Sequence, residues 1–189
     1  MVPIEIFSPR WRADVQQLAD QIFGEGFFAE RIELAKDPNA LLLVSQERDQ
    51  ALLGFAFGQL WPQGALRELL EPLSMPIPTE LADADENGVL GAIQGVAVAS
   101  EHRKRGIATT LLRVLHDRLV GLGADKLIVI FKRGPSASPV DTVMGKVGFE
   151  PWTSIPSYWQ GDCDAGSFAC VDRQASCACE ALLYRKAVY

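Results

Sequence analysis

No apolar run in this chain comes near the roughly 20 residues that cross a bilayer as a helix. The longest, residues 40–44 and 127–131, have the length of core strands. The opening MVPIEIFSPRWRAD lacks a basic start followed by an apolar stretch. No secretory signal is read from it, and a cytoplasmic location is expected. Basic charge is not in excess either. The net charge of −6 argues against a general affinity for nucleic acid, and no membrane partner is expected. Cysteines number only four and all fall between Cys163 and Cys179, which is not the spread of a disulfide framework. Internal repeats and low-complexity segments are missing too. What is there is 189 residues with 48% hydrophobic and 22% charged side chains, enough for one packed domain over residues 1–189.

Residues 2–8 alternate as a short strand, and Ser8-Pro9 then offers a helix start. Trp11, Val15, Leu18, Ala19 and Ile22 recur at helical spacing up to Gly24, and a second short helix is predicted over residues 29–36, before Pro38. Residues 40–45 and 52–60 are apolar runs separated by QERDQ and read as an antiparallel hairpin. Residues 61–88 hold four prolines and an acidic end, so a long loop with one short helix at residues 65–70 is predicted. A central strand at 89–99, a helix at 107–122, a strand at 127–131, a short helix through Met144 and Lys146, and a final strand at 180–188 complete the order. The segment 161–179 changes composition and reads as a cysteine-bearing insert before that last strand.

The chemistry concentrates where the central strand (VAV, 96–98) turns through ASEH into Arg103-Lys104-Arg105-Gly106 and the long helix. The first amides of a helix lack intrahelical partners, and the dipole adds positive potential there, so a phosphate is a fitting ligand. Gly106 lets the backbone approach an anion, Ala108 keeps the next turn unobstructed, and Arg103 and Arg105 add charge-assisted hydrogen bonds. A diphosphate site follows, with the rest of the ligand lying along the strand.

The run Arg103-Lys104-Arg105-Gly106-Ile107-Ala108 resembles the Arg/Gln-x-x-Gly-x-Gly/Ala signature of the GCN5-related N-acetyltransferase (GNAT) superfamily. VAV before it, Thr109-Thr110-Leu111-Leu112 after it and the later GKVGFE turn (145–150) fit the same family, and the order of elements matches along nearly the whole chain. The resemblance implies a mixed α+β fold with a mostly antiparallel central sheet flanked by about four helices. It implies acetyl-CoA as co-substrate, and transfer of its acetyl group to a primary amine of a small molecule or peptide. Val96, Ala97 and Val98 would pair with the pantetheine arm, and Arg103, Lys104, Arg105, Gly106, Ile107, Ala108 and Thr109 would hold the pyrophosphate. The backbone amide of Val98 would polarise the thioester carbonyl.

Other family features are missing. Met144 stands where many members place a proton-donating tyrosine, Ala137-Ser138 replaces an asparagine, and residues 89–98 contain no carboxylate. Tyr158, Ser138, Asp141 and His116 are the candidate replacements, with Tyr158 the one carried forward, against the plainer reading that its ring packs in the core with Trp159. A non-catalytic acyl-CoA-binding or sensor module is the competing function. Cys163, Cys170, Cys177 and Cys179 could complete a zinc site, but their spacing is not the paired C-x-x-C, and reduced or redox-active thiols are the preferred reading. No metal ligand is assigned. Asp83, Asp85, Glu86, Asp162 and Asp164 are candidates to draw in a cationic amine, and a homodimer is one assembly considered.

Overall fold

In the computed structural model, residues 3–47, 51–133, 140–171 and 179–188 are described. Seven strands form one sheet: β1 (Ile4–Ile6), β2 (Ala40–Gln46), β3 (Leu52–Leu60), β4 (Leu90–Val98), β5 (Lys126–Arg133), β6 (Glu150–Ile155) and β7 (Glu180–Ala187). Their spatial order is β1-β2-β3-β4-β5-β7-β6, and only the β4–β5 pair is parallel. The mixed, mostly antiparallel sheet expected from the sequence is therefore present.

The helices among the described residues are α1 (Arg12–Phe23), α2 (Ala29–Leu34), α3 (Ala65–Leu70), α4 (Thr79–Glu86), α5 (Ile107–Gly121), α6 (Val140–Val147) and α7 (Gln160–Asp164). They number seven rather than about four, because several are only one or two turns long. Each face of the sheet carries its own core. On one face Val15, Leu18 and Phe28 pack against Phe55 and Phe57 of β3, and on the other Leu111, Leu115 and Leu119 of α5 pack against Leu43, Ala56 and Ile93. Strand alternation sends neighbouring residues such as Phe55 and Ala56 to opposite cores, so both faces must be covered.

Residues 61–88 depart from the predicted loop. The helix at Ala65–Leu70 is there, but α4 follows it, with Leu81, Ala84 and Asp85 buried at helical spacing. Of the acidic run that suggests a solvated loop, Glu80, Asp83 and Glu86 lie on the outer face of an amphipathic helix and Asp85 on its inner face. β6 has no counterpart among the elements predicted from the sequence. It lies at the sheet edge, where Pro151 sits at an irregularity in the pairing with β7, a position that tolerates a residue without an N–H. The chain after β6 forms α7 and docks on the α1–α2 loop: Ala169 N–H donates to Glu25 O at 2.9 Å, and the Phe168 ring meets Phe27 edge-on at 4.8 Å.

Candidate active site

β4 and β5 pair from Leu90/Lys126 to Ile93/Val129, yet β4 runs on to Val98 and β5 to Arg133. The strands part at Gln94. Gly58 of β3 opposes Ile93 and Phe57 opposes Gly95, which leaves Gln94 as the extra residue of a bulge that bends β4 away from its parallel neighbour. The Gln94 side chain is fixed by Gln59, whose Nε2 donates to Oε1 at 3.0 Å. Beyond the bulge, Ala99 N–H donates to Leu53 O at 3.0 Å. Antiparallel alternation then commits the peptide groups of Ala97 to β3 and turns those of Val96 and Val98 toward the opening. Arg103 Nε already donates to Val98 O at 3.2 Å. Of the three strand residues expected to offer backbone groups, two therefore face the splay.

After a single helical turn over Ser100–His102, the chain reaches Lys104 and Gly106 with φ of 62° and 79°, and α5 begins at Ile107. No heavy atom lies within 4 Å of where a Cβ on Gly106 would sit, so this left-handed residue opens directly to the surface. Arg103, Lys104 and Arg105 are exposed around it, Ala108 and Thr109 are half-buried, and Ile107 anchors the helix in the core. Arg105 Nη1 sits 2.8 Å from His102 Nδ1, and Nη2 is 3.7 Å from Glu47. The amides that open α5 and three basic side chains thus lie beyond the C-terminal end of β4, a concentration of positive potential in an acidic protein.

The splay holds a cavity of about 170 Å³ bordered by Gln94 and Val96 of β4, Ile130 and Lys132 of β5, and Tyr158 and Asp162 of the segment after β6. Tyr158 is half-buried, with its ring edge-on to buried Trp159 at 4.8 Å. Packing against Trp159 and lining the cleft are therefore compatible, not competing, placements. Burial, and then the charge of Asp162, push the Tyr158 phenol above its ordinary value of 10.0, while Arg31 partly offsets them. At neutral pH that side chain is a proton donor. Arg31 of α2 lines the same cleft. It was not singled out from the sequence, and nothing in AERIEL marks it, since its position depends on tertiary packing.

The other candidates lie elsewhere. Asp141 accepts a hydrogen bond from the hydroxyl of Tyr184, a residue of the core beneath α5 and α6. His116 is half-buried on α5, with Nδ1 2.9 Å from an Asp117 carboxylate oxygen, and does not line the cleft. Ser138 and Cys177 lie outside the described residues. Asp85 is corrected from a cation-attracting loop charge to a buried helix cap: its carboxylate accepts the backbone N–H groups of Leu66 and Arg67. Glu86 is paired with Arg67. Of the five acidic residues proposed to attract a cation, only Asp162 lines the cleft. Cys163 and Cys179 are buried, the Sγ atoms of Cys170 and Cys179 lie 3.6 Å apart, and no group of three metal-ligating side chains gathers among the described residues.

A family model described as "Acetyltransferase (GNAT) family" matches residues 4–136. A comparison with curated protein sequences finds no match. Among solved structures, Arabidopsis thaliana NAA60 in complex with a bisubstrate analogue superposes with a TM-score of 0.69 at 13% identity, covering 99% of this chain and 98% of that one. The phosphinothricin acetyltransferase of Sinorhizobium meliloti in complex with AcCoA gives 0.67 at 11%, covering 99% and 88%. The ribosomal-protein-alanine N-acetyltransferase of Brucella melitensis gives 0.65 at 14%, covering 99% and 100%. These three likenesses establish the fold. With the family model spanning the β1-to-β5 frame that carries the splayed strands and the opening of α5, this chain belongs to the GNAT acetyltransferase family.

Proposed function

We propose that this protein transfers the acetyl group of acetyl-CoA to a primary amine of a small molecule or a peptide. The observation that carries the reading is the parting of β4 and β5 at Ile93/Val129, with the strand edge beyond it leading to the open amides of α5 at Gly106. An extended, amide-bearing arm pairs naturally with the free groups of Val96 and Val98, as an added strand would. A diphosphate at its far end meets the first turn of α5, from Gly106 through Thr109, flanked by Arg103, Lys104 and Arg105. Arg105 exchanges its exposed contacts with His102 and Glu47 for the phosphate oxygens. Solved relatives of the same fold support the reading, one in complex with AcCoA and one with a bisubstrate analogue.

The reaction forms a bond from the amine nitrogen to the thioester carbonyl carbon and breaks the carbon–sulfur bond. It yields an amide and a free thiol. The cleft supplies proximity, and the Val98 N–H donates to the carbonyl oxygen as negative charge develops on it. Tyr158, whose phenol stays protonated at neutral pH, gives its proton to the departing sulfur. The proton lost by the amine leaves to water at the open mouth of the cleft.

The lack of any carboxylate on β4 favours a second reading, a module that binds acyl-CoA without turning it over. Calorimetry with acetyl-CoA, followed by a thiol-release assay over a panel of amines, decides between them. Saturable binding with amine-dependent thiol release is the expected result. Binding without release selects the second reading, and no binding removes both.

A further inference from the structure

We propose that the acceptor is an amine that carries a carboxylate, of about amino-acid size, and that Arg31 binds this carboxylate. The inference rests on the acetyl-transfer reading above and adds the acceptor class. The charge of the cleft points this way. Of the charged side chains that line it, Arg31 and Lys132 are cations and Asp162 alone is an acid. Apart from Asp162, the acids that would have recruited a purely cationic amine are spent on capping α3 and pairing with Arg67, or are not among the residues that line the cleft.

Arg31 is held as a binding group rather than as a surface charge. Its guanidinium lies over the rings of Phe27 and Phe28 at 5.0 and 5.8 Å, and Nη1 donates to Phe27 O at 2.9 Å. Phe28 in turn fills the space above Gly95 of β4, where a Cβ would come within 2.6 Å of the ring. Gly95 therefore seats Phe28, and Phe28 seats the guanidinium at the cleft. Nε of Arg31 is buried with no hydrogen-bond partner among the described residues. Glu30 and Asp162 act on Arg31 only through space. A buried, charged N–H without an acceptor is costly, and the planar fork of Nε and Nη fits both oxygens of a carboxylate.

Size and lining narrow the class. The cavity of about 170 Å³ lies below the ~300–1,000 Å³ of sites for drug-sized ligands. Its remaining walls include Phe27, Trp61 and Trp159, which suit an apolar side chain on the acceptor. An α-amino acid with an apolar side chain places its carboxylate on Arg31 and its amine toward Gln94, Tyr158 and the splayed strand edge.

The test compares leucine, methionine, phenylalanine and tryptophan with their carboxamides as acceptors, which removes the charge and keeps the amine and side chain. The carboxamide has the less basic amine, so reactivity alone favours it and a preference for the acid belongs to the site. The expected kcat/KM ratio of acid to amide is roughly 10- to 150-fold for one charge-assisted hydrogen-bonded contact. In Arg31→Gln the ratio falls to one or below, and in Arg31→Lys it is intermediate. Acetyl-CoA affinity and the melting temperature, measured on the same samples, report that each variant is folded. An equal or better use of the amides or of simple alkylamines, no turnover of the acids, or an unchanged ratio in Arg31→Gln overturns the proposal. If acetyl-CoA binds normally in that case, only the acceptor assignment falls. If acetyl-CoA does not bind at all, the acetyl-transfer reading falls with it.

Discussion

Asp85 closes the open end of α3 from a helix nineteen residues later in the chain, accepting the backbone N–H of Leu66 at 2.9 Å and that of Arg67 at 3.1 Å. Asp85 is 1% exposed, so both N–H groups it serves are left away from bulk solvent once it is removed. The contact ties α4 to α3, whose Leu69 borders the cleft. Asp85→Ala is expected to lower stability by about 1–3 kcal/mol, and Asp85→Asn by less because one acceptor oxygen remains. Urea unfolding of the two variants beside the parent measures both.

The edge strand β1 depends on a second carboxylate. Glu5 accepts hydrogen bonds from the indole of buried Trp11 and from Arg10, and these hold its carboxyl below the ordinary 4.5. A depressed native value means the folded state binds fewer protons than the unfolded chain. The stabilisation is therefore complete above pH 4.5 and is lost as the pH falls through the lower native value. Urea midpoints followed from neutral to acid pH should fall more steeply in the parent than in Glu5→Gln. The Trp11 indole N–H resonance should move over the same acid range in the parent alone.

What could be read from the sequence was what is encoded locally. The strand, basic turn and helix from Val96 to Leu112 are contiguous, and Leu111, Leu115 and Leu119 repeat at a helical period that needs no tertiary information. The missed elements each required knowledge of a neighbour. Thr79–Glu86 reads as a solvated acidic loop until Leu81 and Ala84 are seen beneath it. Glu150–Ile155, with Pro151 near its start, is defined as a strand only by its pairing with β7 at the sheet edge. Arg31 is one of many helix-surface arginines until Phe27, Phe28 and Gly95 fix where it lies. Sequence separation decided the outcome in each case, since burial and edge position are properties of the assembled sheet.

Gly106 offers a clean separation of fold from ligand binding. A Cβ there meets no heavy atom within 4 Å beyond its chain neighbours, and its only intrinsic penalty is the left-handed φ of 79°. Gly106→Glu is therefore expected to remain folded, at a cost of about 1–2 kcal/mol. Its carboxylate projects from the opening of α5, where it repels a diphosphate and occupies its space. Acetyl-CoA affinity should fall at least ~100-fold, beyond the reach of strain alone, while Gly106→Ala with the same strain retains most of it. Calorimetry on both variants, each with a thermal melt, reads the difference.

Tyr158 carries the proposed proton delivery, and its environment fixes the sign of the pH response. Burial and the nearby Asp162 keep the phenol protonated to higher pH than a free tyrosine, so the donor form persists above pH 10.0. Activity that depends on it should decline only as the pH rises through that raised value. Tyr158→Phe keeps the edge-on contact with Trp159 and removes only the hydroxyl. The expected loss is roughly 10²–10⁴-fold in kcat at neutral pH, with acetyl-CoA affinity unchanged and the alkaline decline flattened. A variant with wild-type kcat would mean that water protonates the departing sulfur and that Tyr158 serves only to wall the cleft.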